Sequence, residues 1–193
     1  MSGDAINLVT LALRARLETA LTRSTVPGTV FVGPLDDADA SGAALILFLY
    51  RIAANVSLRN SEHTVVNSTP PPTVFRNSLP LDLYYLVTVG TSPGESEEAL
   101  LIALGFAMQE LQANPVLNGA SINHQVVNVS LEPLTTDESS RIWHLFPTAN
   151  YRTSIAYLAT PVWIDPERPT VDGSRVMEDR LRAGELARPE VPL

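Results

Sequence analysis

Apolar positions along this chain recur with two periods, and each period marks a type of element. Residues 45–60 (LILFLYRIAANVSLRN) alternate with a period of two, the spacing of a β-strand. Ile46, Phe48, Tyr50, Ile52, Ala54, Val56 and Leu58 make one apolar face along the whole stretch. The other face begins apolar at Leu45, Leu47 and Leu49 and turns polar at Arg51, Asn55, Ser57 and Arg59. This predicts a long strand that leaves a domain core and runs out to a surface where something docks. Residues 79–89 (LPLDLYYLVTV) predict a second long strand. Leu81, Leu83, Tyr85, Val87 and Val89 point to the core, Asp82, Tyr84 and Thr88 point outward, and Leu86 breaks the pattern.

Helical spacing appears elsewhere. Ile6, Val9, Leu13, Leu17, Ala20 and Leu21 share a stripe, which predicts a helix over 4–22 capped by Ser2 or Asp4. Leu100, Leu104, Ala107, Met108 and Leu111 predict a second helix that stops before Pro115, with Ser92-Pro93-Gly94-Glu95 as its start. Thr135 and Glu138 form a capping box for a short helix to about residue 145. Strands are expected over 29–32, 126–132 and 151–164, and Pro161 implies an edge or a bulge in the last. Residues 61–78 contain Pro70, Pro71 and Pro72 and read as a long connecting loop. The order α-β-β-β-α-β-α-β does not alternate strictly. It predicts an α+β fold: a mixed, mainly antiparallel sheet with helices packed against one face. The domain is expected over 1–169. A C-terminal extension over 170–193 follows, for which a helix over 174–186 and partial disorder are both open readings.

Composition narrows the function classes. A chain of 193 residues fits one domain with a sizeable core. No apolar run reaches the roughly 18–20 residues of a membrane helix, and no basic leader precedes an apolar stretch at the N-terminus. No direct membrane insertion is therefore expected. There is no cysteine, which excludes disulfides and thiolate metal sites. Together these points favour a cytoplasmic location. The net charge is −8, and the arginines form no cluster, so no nucleic-acid partner is expected.

The search for chemistry is nearly empty. His63, His124 and His144 share no metal-ligand spacing and are expected at the surface or in loops. Asp36, Asp37 and Asp39 lack the glycine and distal glutamate of a calcium loop and read as a solvated turn. Ser154 has no neighbouring glycine and does not sit in a nucleophile elbow. No phosphate-binding glycine loop is present. The expectation is a protein that is not an enzyme, with no catalytic residue, cofactor or metal. Tyr84 and Trp143, read as outward, and the polar half of the first strand are the interface candidates. They are Arg51, Asn55, Arg59, Tyr84 and Trp143.

Five segments together resemble one family. They are LFLYRIAANVSLRN (47–60), LPLDLYYLVTVG (79–90), LLIALGFAMQELQANPVL (100–117), VSLEPLTTDESSRIWHLF (129–146) and YRTSIAYLATPVWID (151–165). In order and spacing they are similar to the cap, or tail-terminator, proteins of contractile injection systems, such as antifeeding prophage and Photorhabdus virulence cassette particles. The resemblance covers residues 4–164. It implies a homo-oligomer, a hexameric ring at the distal end of a phage-tail-like particle, that ends and joins the inner tube and the sheath. The implied partners are the sheath and inner tube proteins, and the implied location is cytoplasmic, assembled into the particle. Two alternatives stand beside this reading. One is another ring component of the same particle, a baseplate or tube-adaptor protein. The other is a small-molecule-binding α+β domain.

Overall fold

A computed structural model describes residues 2–65, 73–168 and 171–172. It carries a six-stranded sheet in the order β1-β2-β5-β8-β7-β6. The strands are β1 (Thr29–Val32), β2 (Ala43–Ala54), β5 (Leu79–Val89), β6 (Val116–Leu117), β7 (Val127–Glu132) and β8 (Ser154–Ile164). β1 pairs with β2 in parallel and every other pair is antiparallel. The expected mixed, mainly antiparallel α+β sheet is what the chain forms. A second sheet of three short strands joins β3 (His63–Val65), β4 (Thr73–Phe75) and β9 (Val171–Asp172). The segment expected to be an unbroken loop therefore contains two strands, too short to show a period. The triple proline and the helix expected over 174–186 lie outside the described residues.

The helices occupy both faces, not one. α1 (Ala5–Ser24) and α2 (Glu97–Ala113) cover the face formed by Leu45, Leu47, Leu83, Tyr85 and Val87. α3 (Thr136–Trp143) lies on the opposite face, where Ile142 and Phe146 pack on Leu86, Phe48 and Tyr50. The break in alternation at Leu86 is thus a second core layer, and Thr88, expected outward, is fully buried. One polar group links α1 to the sheet: the Tyr85 hydroxyl lies 2.8 Å from Thr10 Oγ1. On the helix layer, the buried Glu110 carboxylate of α2 receives Arg23 at 2.9 Å and Arg16 at 3.5 Å from α1.

Local signals decide the ends. The capping box forms as expected: Thr135 Oγ1 accepts from Glu138 N, and Glu138 accepts from Thr135 N. α2 starts later than the sequence suggests. Gly94 takes φ +86, which breaks the helical path, and Ser96 becomes the cap by accepting from Ala99 N. Met108, expected in the buried stripe, is 37% exposed. Asp4 sits at the start of α1 without a capping hydrogen bond; its carboxylate accepts from Asn123 Nδ2 instead. Gly90 is required by contact, since a Cβ there would lie 2.0 Å from the Ala43 carbonyl oxygen. Pro161 stands in an interior strand, tolerated by a bulge. Pairing passes from Leu81–Val162 to Leu83–Ala159, so Asp82 faces two residues, Thr160 and Pro161.

Candidate functional site

The long first strand departs from its sequence pattern at one residue. Leu49 pairs with Tyr85 and Arg51 pairs with Tyr84, so Tyr50 is an extra residue in the strand, a β-bulge. Before the bulge, even positions face α3. After it, the parity reverses. Arg51 now lies on the α3 face, with its guanidinium 4.7 Å from the centre of the Tyr84 ring. Ile52, opposite Leu83, turns to the α1/α2 face. The strand then stops at Ala54, and residues 56–58 form a 3-10 turn. The expected apolar face along the whole stretch is therefore corrected: Ile52 is 49% exposed and Val56 82%.

The sequence-predicted residues separate into two places. Arg51, Asn55, Arg59 and Tyr84 gather around the outer half of β2. Asn55 is bound on every side. Its Nδ2 donates to Asp82 Oδ1 at 2.9 Å and to Thr160 Oγ1 at 3.2 Å, and its Oδ1 accepts from Leu58 N at 3.1 Å. That network fixes the turn that projects Val56 and Arg59. Arg59 is exposed. Tyr50 packs near Tyr84, ring centres 6.1 Å apart. Burial, reinforced by the Glu132 carboxylate, pushes its phenol up to about 12.

Trp143 belongs to the second place and is turned inward, 7% exposed. Its Nε1 donates to Ser154 Oγ at 3.3 Å, and its ring lies 5.1 Å from that of Tyr151. Beside it runs an open groove of about 1210 Å³ between α3 and the adjoining ends of β7 and β8. Leu131, Leu134, Phe146 and Tyr151 line its walls, and the half-buried Glu132 is its carboxylate. In the first turn of α3, hydrogen bonds from Thr135 hold the Glu138 carboxyl below the usual carboxylate range. The groove was not legible in the sequence, because its walls come from three elements with no shared motif.

β2 also has an open side. β1 pairs only with residues 43–47 of β2, so among the described residues the outer edge of β2 from 48 to 54 has no neighbouring strand. Among the described residues no strand takes its peptide groups, which an added strand could pair with. The bulge and Arg51 lie on that edge, both being features that discourage indiscriminate pairing.

At the end of β8 His63 is buried rather than exposed. Its ring stacks on Trp163 at 4.8 Å and 4°, and its Nδ1 lies 2.7 Å from Asp165 Oδ1. Ser78 Oγ donates to the same oxygen at 2.7 Å. His63 and Ser78 meet Asp165 on one oxygen, so serine and histidine are not in line as nucleophile and base. The arrangement ties β3 to the end of β8. Among the described residues no three His, Asp or Glu side chains converge as a metal site, and no helix is long and apolar enough to cross a membrane.

Comparison with known proteins points to the same family as the five segments. No curated protein matches the chain. Among solved structures, it is similar to the anti-feeding prophage cap, described as a tube-terminating cap. The identity is 17% and the TM-score 0.55, covering 86% of this chain and 59% of that one. It is also similar to the PVC sheath/tube terminator of an extracellular contractile injection system in its extended state. There the identity is 15% and the TM-score 0.51, covering 94% of this chain and 65% of that one. The chain thus spans less than two thirds of the length of either structure, and at these identities the likeness is one of fold. The family model of the Pvc16 N-terminal domain matches residues 8–178. With nearly the whole described chain inside that match, the protein belongs to the Pvc16 N-terminal domain family.

Proposed function

We propose that this chain is a structural cap of a contractile injection system, a tail terminator and not an enzyme. Six copies close into a ring at the distal end of the particle, where they contact the inner tube and the sheath and join the two. The protein is made in the cytoplasm and ends up in the particle. The observation that carries the reading is the open outer edge of β2 over residues 48–54, beside the exposed Ile52 and Val56. A growing tube or sheath presents unpaired strands to the next ring. A terminator satisfies those peptide groups without offering a new copy of them, and strand addition along an open edge does this through main-chain hydrogen bonds. A closed head-to-tail ring leaves no free end in its own plane. Arg51, Arg59 and Tyr84 flank the edge and would contribute contacts at its rim.

Electron microscopy of particles from a strain lacking the chain tests this. Tubes and sheaths of uncontrolled length with uncapped distal ends are expected. Particles of normal length with intact distal caps would overturn the proposal.

A further inference from the structure

The exposed turn after β2 and the groove beside α3 lie at opposite ends of the sheet. Ala54 pairs with Leu81, and Leu81 with Val162, so the turn stands level with the end of β8. The groove is walled by Ser154, Ile155 and Ala156 at the start of β8. Seven strand residues separate the two levels, roughly 20 Å. A chain cannot place its own turn in its own groove across that distance, since β8 between them is held in the sheet, paired to β5 along its length and to β7 over 156–160.

The two surfaces are nevertheless complementary. Val56 is the most exposed of the large apolar side chains in the described part of the chain. The groove walls leave Leu131 and Tyr151 uncovered. Beside the turn stands Arg59, which has no carboxylate at ion-pair distance among the described residues. In the groove stands Glu132, with the Glu138 carboxylate at the start of α3. The pairing is apolar to apolar and basic to acidic.

We propose that the turn of one copy, Val56 with Arg59 beside it, seats in the α3 groove of the next copy, and that Arg59 meets Glu132 there. A projection at one end and a recess at the other make a head-to-tail contact, which closes into a ring or runs on as a filament. The inference rests on the ring reading above and assigns the surface that builds it. Asn55 acts as a positioning residue, because it holds the turn through Asp82, Thr160 and Leu58 N.

The chain has no cysteine, so two introduced thiols report one contact. Full-length chains carrying Val56→Cys and Tyr151→Cys are mixed and treated with a short bis-maleimide. Both sites are exposed, and circular dichroism checks that each variant is folded. A covalent pair containing one chain of each kind is expected, several-fold above the yield from Leu11→Cys mixed with Tyr151→Cys. In sedimentation velocity, Arg59→Glu or Glu132→Arg alone should weaken self-association about tenfold or more. The two together should restore it.

A cross-link no stronger than the control overturns the contact, and so does charge reversal without rescue. If the unmodified chain self-associates and the cross-link is absent, the contact falls and the ring reading stands. If the unmodified chain stays single at every concentration and no cross-link forms, both fall. A cross-link from Tyr151→Cys to a tube or sheath subunit in whole particles, in place of Val56→Cys, gives the groove to a different protein and overturns the contact.

Discussion

Tyr85 and Thr10 share a buried hydrogen bond of 2.8 Å that ties the centre of the sheet to the first helix. Thr10 Oγ1 also donates to the Ile6 carbonyl at 2.7 Å, so it keeps one partner if the phenol is removed. Tyr85→Phe is expected to cost about 1 kcal/mol at neutral pH, measured by urea unfolding.

The same phenol sets an alkaline limit. Burial pushes Tyr85 up to about 12 from 10.0, and Tyr157 likewise to about 12. The folded chain holds these protons longer than the unfolded one. Their contribution is therefore complete below pH 10 and is lost as the pH rises from 10 towards 12. Stability should fall in that window, and Tyr85→Phe should flatten the fall by about 2–3 kcal/mol. A pH series of urea midpoints on both chains measures it; equal slopes would refute it.

Glu110 matters more than either arginine that reaches it. The carboxylate is buried and also accepts from Asn114 Nδ2 at 2.8 Å, whereas both arginines are partly in solvent. Arg23→Ala leaves Arg16 and Asn114 in place and should cost less than about 1 kcal/mol. Glu110→Ala opens the seam between α1 and α2 and should cost about 2 kcal/mol. Equal losses in the two variants would show that the seam is held by the charge pairs alone.

Two glycines should respond in opposite directions. Gly90→Ala drives a Cβ into the Ala43 carbonyl and should destabilise by about 2–3 kcal/mol. Gly105 lies inside α2 with nothing within 4 Å of an added Cβ. Gly105→Ala should therefore stabilise the chain by about 0.5–1 kcal/mol. Thermal unfolding of the pair decides both signs.

His63→Ala should act locally. It removes the stack on Trp163 and one of the groups bound to Asp165, while Ser78 still satisfies that oxygen. Hydrogen exchange is expected to quicken in β3 and β4 while the amides of β5 and β8 stay protected. Uniform quickening would mean that the small sheet and the large one unfold together.

The sequence was clearest where one period ran without interruption. α1, the helix-facing side of β5 and the capping box of α3 each declare themselves through spacing that packing then obeys. It was opaque wherever a strand met two environments. Leu86 looks like an error in a one-faced strand until α3 supplies a second layer over it, and Thr88, buried on the same strand, gives its hydroxyl to the Thr153 carbonyl. The strands β3, β4, β6 and β9 are two or three residues long, too short for any period to register. His63 carries no local sign of burial, because Trp163 and Asp165 reach it from a hundred residues away. Of the site, the strand that bears it was legible and its faces were not. Strict alternation puts Ile52 with Phe48, whereas one inserted residue puts it with Leu83.

That insertion works as a half-step in the strand's phase. Removing Tyr50 would leave every later partner in place, with Arg51 still opposite Tyr84 and Ile52 still opposite Leu83. The extra residue is therefore dispensable for register. What a relative without it would lose is the Tyr50 ring against the α3 layer, while the residues beyond keep their faces. Length variation at this position among relatives would then mark a change in how α3 is seated and not a change of fold.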